Sequence, residues 1–178
     1  MSKTAVFCIA KTFPQAERIV TLLQHSGFPT SEISVVYPEG SSHHDVGHVK
    51  ATKAPEGVAT GATTGGVAGG VFGLLAGIGA LAIPGVGPLI AAGPIMAALS
   101  GAAVGAAAGG VVGGLIGLGI PEIEAKIYES KLREGNYLIA VHAHSSEEEK
   151  RAKKIFEVEN AENIATVEQD KVPKPAHS

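Results

Sequence analysis

From Gly57 to Pro121 the chain runs for 65 positions without an Asp, Glu, Lys or Arg, and within that window glycine recurs at every fourth residue in two stretches separated by a central break. The first ladder is Gly57, Gly61, Gly65, Gly69, Gly73 and Gly77; the second is Gly101, Gly105, Gly109, Gly113 and Gly117. Residues four apart share one face of a helix, so each ladder is a groove without side chains along which another helix backbone can approach closely. Glycine costs about 1 kcal/mol against alanine at each helical site in water. Eleven such positions therefore need compensation from close helix contact or from a solvent without competing hydrogen bonds.

Between the ladders, residues 81–94 read LAIPGVGPLIAAGP, punctuated by Pro84, Gly85, Gly87, Pro88, Gly93 and Pro94. That punctuation predicts the turn of an antiparallel helical hairpin. Each arm then covers about 25 residues, or about 38 Å at helical rise, more than the ~30 Å apolar thickness of a bilayer. Lys50 and Lys53 precede the hairpin, and Lys126, Lys131 and Arg133 follow it. Under the positive-inside tendency both ends sit on the cytoplasmic side. Two partners fit this pattern. One is membrane lipid, with the hairpin anchored from the cytoplasmic face of the inner membrane. The other is the chain itself, as a cytoplasmic homo-oligomer whose hairpins close an apolar core. The uncharged turn favours a buried position over emergence into water.

All 31 charged side chains (14 basic and 17 acidic) lie outside the window, and the net charge of -3 with no basic stripe excludes nucleic acid as a partner. The single Cys8, inside AVFCIA, rules out an intramolecular disulfide framework and reads as a buried structural thiol. The N-terminal apolar run is too short for a signal-peptide core, so synthesis without cleavage is expected.

The flanks read as one small α+β domain. Thr4–Ala10 is a strand; Thr12 and Gln15 have capping-box spacing ahead of Ala16, Ile19, Val20, Leu22 and Leu23, and Gly27 closes that helix. Ile33–Tyr37 is a second strand. Beyond the window, Pro121 opens a helix carrying Ile123, Ile127 and Leu132 that Gly135 ends, and Tyr137–Ala143 is a strand. Ser145 and Glu148 repeat the capping box before a helix through Ile155, Phe156 and Val158, and Ile164–Val167 is the last strand. Two strand-helix-strand units predict a ferredoxin-like split βαβ sandwich, two helices on one face of a four-stranded antiparallel sheet, with the Gly/Ala-rich helical hairpin inserted. The helix after Pro121 is extra to that plan. The expected organisation is residues 1–50 for the first half, 51–120 for the hairpin, 121–169 for the second half and 170–178 for a disordered tail.

Reaction chemistry is weakly signalled. His43, His44 and His48 cluster before the window, while His142 and His144 alternate on a strand and share a face. These five are candidate metal ligands; with no cysteine partner and no helical histidine pair, solvated imidazoles are the simpler account. Gly77, Gly79 and Ala82 match a dinucleotide pattern but follow no strand. Glu122, Glu124 and Tyr128 are explained by acidic residues complementing a helix N-terminus. No catalytic set, metal or cofactor is assigned.

The segments TKAPEG (52–57), AIPGVGPLIAAGP (82–94) and GLGIPEIEAKIYE (117–129), with the flanking units, resemble a bacterial family of general-stress or low-temperature-induced proteins. That family is related to the domain in the D subunit of alternative complex III, the quinol:electron acceptor oxidoreductase. The resemblance covers most of the chain. It implies a non-enzymatic, membrane-associated accessory protein, with a larger membrane complex among its partners. No C-x-x-C-H and no iron–sulfur cysteines accompany it, so electron transfer by this chain has no support in its residues.

Overall fold

The computed structural model describes residues 3–38, 79–83, 87–93 and 110–168. In order they form β1 (Thr4–Ala10), α1 (Phe13–His25), a 3-10 turn (Thr30–Glu32), β2 (Ile33–Pro38), β3 (Gly79–Ile83), β4 (Gly87–Ala92), α2 (Gly110–Gly117), α3 (Glu122–Arg133), β5 (Tyr137–Ala143), α4 (Ser146–Val158) and β6 (Glu162–Glu168). The strands make one sheet in the order β3-β4-β2-β5-β1-β6, antiparallel at every pairing. The protein is thus of the α+β class.

Both expected caps form. The Thr12 hydroxyl accepts from the Gln15 amide at 3.3 Å, and Gln15 Oε1 accepts from the Lys11 amide at 2.8 Å. Ser145 accepts from the Glu148 amide at 3.2 Å, while the Glu148 carboxylate takes the His144 amide at 2.7 Å. In each case the returning bond reaches the residue before the cap, so two otherwise orphan donors are satisfied at each helix start. Arg151 Nη1 donates to the Ser26 carbonyl at 2.9 Å, and Gln15 Nε2 to the Glu159 carbonyl at 2.7 Å. The two helices are therefore tied to each other's ends.

Every residue of β1 is buried, because side chains leave a strand on alternating faces and here both faces are covered. Val6, Cys8 and Ala10 meet α1 and α4 in a core containing Ile19, Leu23 and Phe156. Ala5, Phe7 and Ile9 meet α2 and α3 in a second core containing Leu115, Tyr128 and Leu132. The expected plan had helices on one face only. The helix after Pro121 and the end of the second glycine ladder form the third layer.

The second difference lies in the middle of the uncharged window. Residues expected to turn between two helices instead form the strands β3 and β4. Gly87 and Pro88 are inside β4 and Gly93 directly follows it, whereas Pro84, Gly85 and Pro94 lie outside the described residues. β4 pairs with β2 from Val35↔Ala92 to Pro38↔Leu89, and β3 pairs with β4 from Gly79↔Ala91 to Ile83↔Gly87. The physical reason is that the free edge of β2 needs hydrogen-bond partners, and a five- or six-residue apolar run bounded by Pro and Gly suits a strand as well as a helical turn. Pro88 costs nothing toward β2, whose ladder stops at Leu89. The chain accordingly returns to the domain's own sheet between the two ladders. No helix among the described residues is long and apolar enough to cross a membrane.

Candidate functional site

The glycine ladders reach the described structure only at α2, which carries Gly113 and Gly117. Gly57, Gly61, Gly65, Gly69, Gly73, Gly77, Gly101, Gly105 and Gly109 lie outside the described residues. α2 has two distinct sides. Val111, Gly114 and Leu115 are buried, the two side chains in the second core, at the i, i+3, i+4 spacing of one helical face. Gly113 is half-buried, Gly117 is exposed and Ile116 is 43% exposed. A Cβ placed on Gly117 would meet nothing within 4 Å. The ladder face of α2 therefore points away from the sheet.

A hydrogen-bonded C-terminal cap fixes that orientation. Ile120 donates its amide to the Leu115 carbonyl at 3.1 Å and Gly119 to the Ile116 carbonyl at 2.9 Å, with Gly119 at φ 94. This is the Schellman arrangement, which needs a left-handed residue that glycine adopts without strain. Ile120 and Leu115 join the same core and lock the end of α2 onto the start of α3. α3 buries Ala125, Tyr128 and Leu132 but leaves Ile123 77% and Ile127 38% exposed. Ile116, Ile123 and Ile127 thus extend the outward apolar character of α2 onto α3. Sequence periodicity finds the apolar residues of α3 but not which of them face the sheet.

Beside Ile127, the residues Glu124, Tyr128, Asn163, Ile164 and Ala165 complete a 210 Å³ groove between α3 and β6. The Tyr128 hydroxyl donates to the Asn163 carbonyl at 2.7 Å, and Tyr128 lies 6.2 Å from Phe7 between ring centroids. Burial, then the Glu124 charge, pushes the phenol well up, so it stays a neutral donor. Its role is to hold α3 to the last strand. Glu122 and Glu124 occupy the first turn of α3 as the helix dipole favours, and Lys126 bonds Glu122 at 2.8 Å and holds its carboxyl below the usual range.

Of the five candidate histidines, His43, His44 and His48 lie outside the described residues, and the structure brings His142 and His144 together around Glu32. His144 Nε2 is 3.2 Å from one Glu32 carboxylate oxygen and His142 Nδ1 is 3.8 Å from the other. Glu32 escapes sequence reasoning because it arrives through the register Ile33↔Val141, which no local pattern encodes. Among the described residues no group of three His, Cys, Asp or Glu side chains is arranged to hold a metal ion. Cys8 is fully buried and desolvation raises its thiol far above the ordinary value, which removes the thiolate needed of a nucleophile.

The His142 environment predicts a pH dependence. Burial lowers its pKa, with the charges of His144 and Lys3 acting the same way and Glu32 opposing. The unfolded chain, with an imidazole near pH 6.5, then binds the proton more readily than the folded chain. Stability should be full above that pH, fall as pH drops through it and level off below the folded value. Urea midpoints between about pH 8 and pH 5 should show this slope, and His142→Gln should flatten it.

Comparison with protein-family models, with curated proteins and with solved structures finds no match to this chain.

Proposed function

We propose that this chain is a non-enzymatic protein that acts by association, through the outward glycine face of α2 and the charge-free segments that adjoin it. The observation that carries the reading is the two-sidedness of α2. Val111 and Leu115 satisfy the sheet, while Gly117 and Ile116 present a side-chain-poor, apolar strip to whatever lies outside. A second copy offers the matching strip, and helix backbones that meet along such strips approach closely. The finer class of the fold belongs to the same proposal. The order β6-β1-β5-β2 with α1 and α4 on one face supports a ferredoxin-like split βαβ sandwich, extended at the β2 edge by β3 and β4.

A lipid surface is the second reading, favoured by the 65 uncharged positions. It places the chain at the cytoplasmic face of the inner membrane, and the family resemblance adds a stress-related role there. The pairing of β4 with β2 argues against a hairpin whose turn lies across the bilayer, so this reading takes contact with lipid from one side.

Gly117→Leu tests the association. The new side chain enters open space in the single chain, and leucine is the better helix former by roughly 0.5–1 kcal/mol. The melting temperature should hold or rise, while self-association weakens tenfold or more, about 1.4 kcal/mol. Unchanged association would count against the reading. Fractionation with a carbonate wash separates the partners: protein in the supernatant as one oligomeric species supports self-association, and protein retained in the membrane supports lipid.

A further inference from the structure

α3 and β6 run past one another in opposite directions, and the contacts between them fix how they are aligned. Lys131 Nζ lies 3.7 Å from the Glu162 carboxylate, Tyr128 bonds the Asn163 carbonyl, and Glu124 and Ile127 line the 210 Å³ groove together with Ile164 and Ala165. The helix rises about 10 Å from Glu124 to Lys131, and the strand covers about the same from Glu162 to Ala165, so the two elements stay in step. Past Ala165 the strand therefore continues toward the first turn of α3. It ends at Glu168, about 10 Å beyond the groove.

The groove has a mixed lining. Ile127, Ile164 and Ala165 make it apolar, Glu124 is its charged lining residue, and Ile123 stands 77% exposed next to Glu124 in the chain. Its occupant therefore needs an apolar side chain flanked by cations. The sequence that leaves β6, outside the described residues, has that pattern: QDKVPKPAHS, from Gln169 to Ser178, sets Val172 between Lys171 and Lys174. Val172 is four residues past Glu168, a reach of about 13 Å, which is enough to fold back to the groove. Pro173 and Pro175 fix their own φ and bias the residues before them to extended backbone, so less entropy is lost when this stretch is laid down. The window from Gly57 to Pro121, by contrast, has no cation to set against Glu124.

We propose that residues 169–175 form a strap that folds back onto α3 of the same chain, with Val172 in the groove beside Ile127 and Ile164 and with Lys171 and Lys174 facing Glu124. The strand that forms one wall of the groove carries the occupant, so its local concentration is on the order of millimolar and no second chain is needed. A strap in this place covers the outer isoleucines of α3 and leaves the strip on α2 open. It restricts the outward apolar surface to α2, and it does not depend on what α2 binds.

Limited trypsin digestion of the 178-residue chain tests the strap. Within it the cleavable bond follows Lys171, because Lys174 precedes a proline. Docking protects that bond, so E124Q/I127S, which removes both the charge and the apolar contact, should be cut there about tenfold faster than wild type. Equal rates overturn the proposal. A second readout does not rely on removing the groove. Under mild oxidation, I127C/V172C should close a disulfide within one chain about tenfold faster than S146C/V172C, whose Ser146 opens α4 on the other face of the sheet. Adding K171E/K174E to the first pair should bring its rate down to that of the second, and adding E124K as well should restore it. Equal rates in the two pairs, or a product linked between chains, overturns the strap. Gly117→Leu should leave all of these rates unchanged, so failure of the α2 reading and failure of the strap are read separately.

Discussion

Gly93→Ala should destabilise the protein by roughly 2–4 kcal/mol, in the range of strain at a special backbone position. Gly93 has φ 90, and a Cβ there would stand 2.2 Å from the Ile33 carbonyl oxygen and 2.8 Å from Ser34 Cα. The obstacle is backbone of β2, so relief requires β4 to move out of its pairing with Val35. Gly27→Ala is the matched control. Gly27 has φ 96, yet its added Cβ meets only the Arg151 guanidinium at 4.0 Å. The control carries the left-handed penalty alone, about 1 kcal/mol. Urea denaturation of both variants reads the difference. If residues 87–93 were a turn remote from β2, the two substitutions would cost the same.

The second large effect comes from the two-sided core. Phe7→Ala and Phe156→Ala should each cost about 3–5 kcal/mol, the range for deleting a fully buried phenylalanine. Both side chains are completely buried, but Phe156, itself on α4, packs into the core shared with α1, whereas Phe7 lies against Tyr128 and the α2–α3 layer. A sheet covered on one face only would tolerate Phe7→Ala with a loss below about 1 kcal/mol, as at an exposed position. Comparable losses at both sites, measured as urea unfolding free energies, therefore report the third layer directly.

These residues also show what local sequence encodes. Capping boxes at Thr12 and Ser145 and the strands around Cys8 and Ile139 are legible because each depends on spacing within a few residues. The seven consecutive buried positions of β1 carried a further signal. AVFCIA has no polar alternation, and an unbroken apolar strand is what burial on both faces requires. The hairpin of β3 and β4 was not legible, because a glycine register that runs up to Gly77 suggests one continuous helix. What determines the structure there is the free edge of β2, a partner separated by forty or more positions in the chain. The meeting of Glu32 with His142 and His144 was hidden for the same reason. It depends on strand register and not on spacing.

The candidate site divides similarly. The four-residue period of Gly113 and Gly117 identifies a helical face, and α2 shows that face pointing outward. Sequence alone does not place Ile123 and Ile127 beyond the core, because α3 has apolar residues on more than one side. Burial of Tyr128 and Leu132 takes one of those sides, and the remaining isoleucines fall on the outer surface.

The mass of the purified chain in detergent-free buffer tests the central claim most directly. Sedimentation velocity should give one discrete homo-oligomer of 18.0 kDa subunits, and a stable monomer across the concentration range would contradict the account.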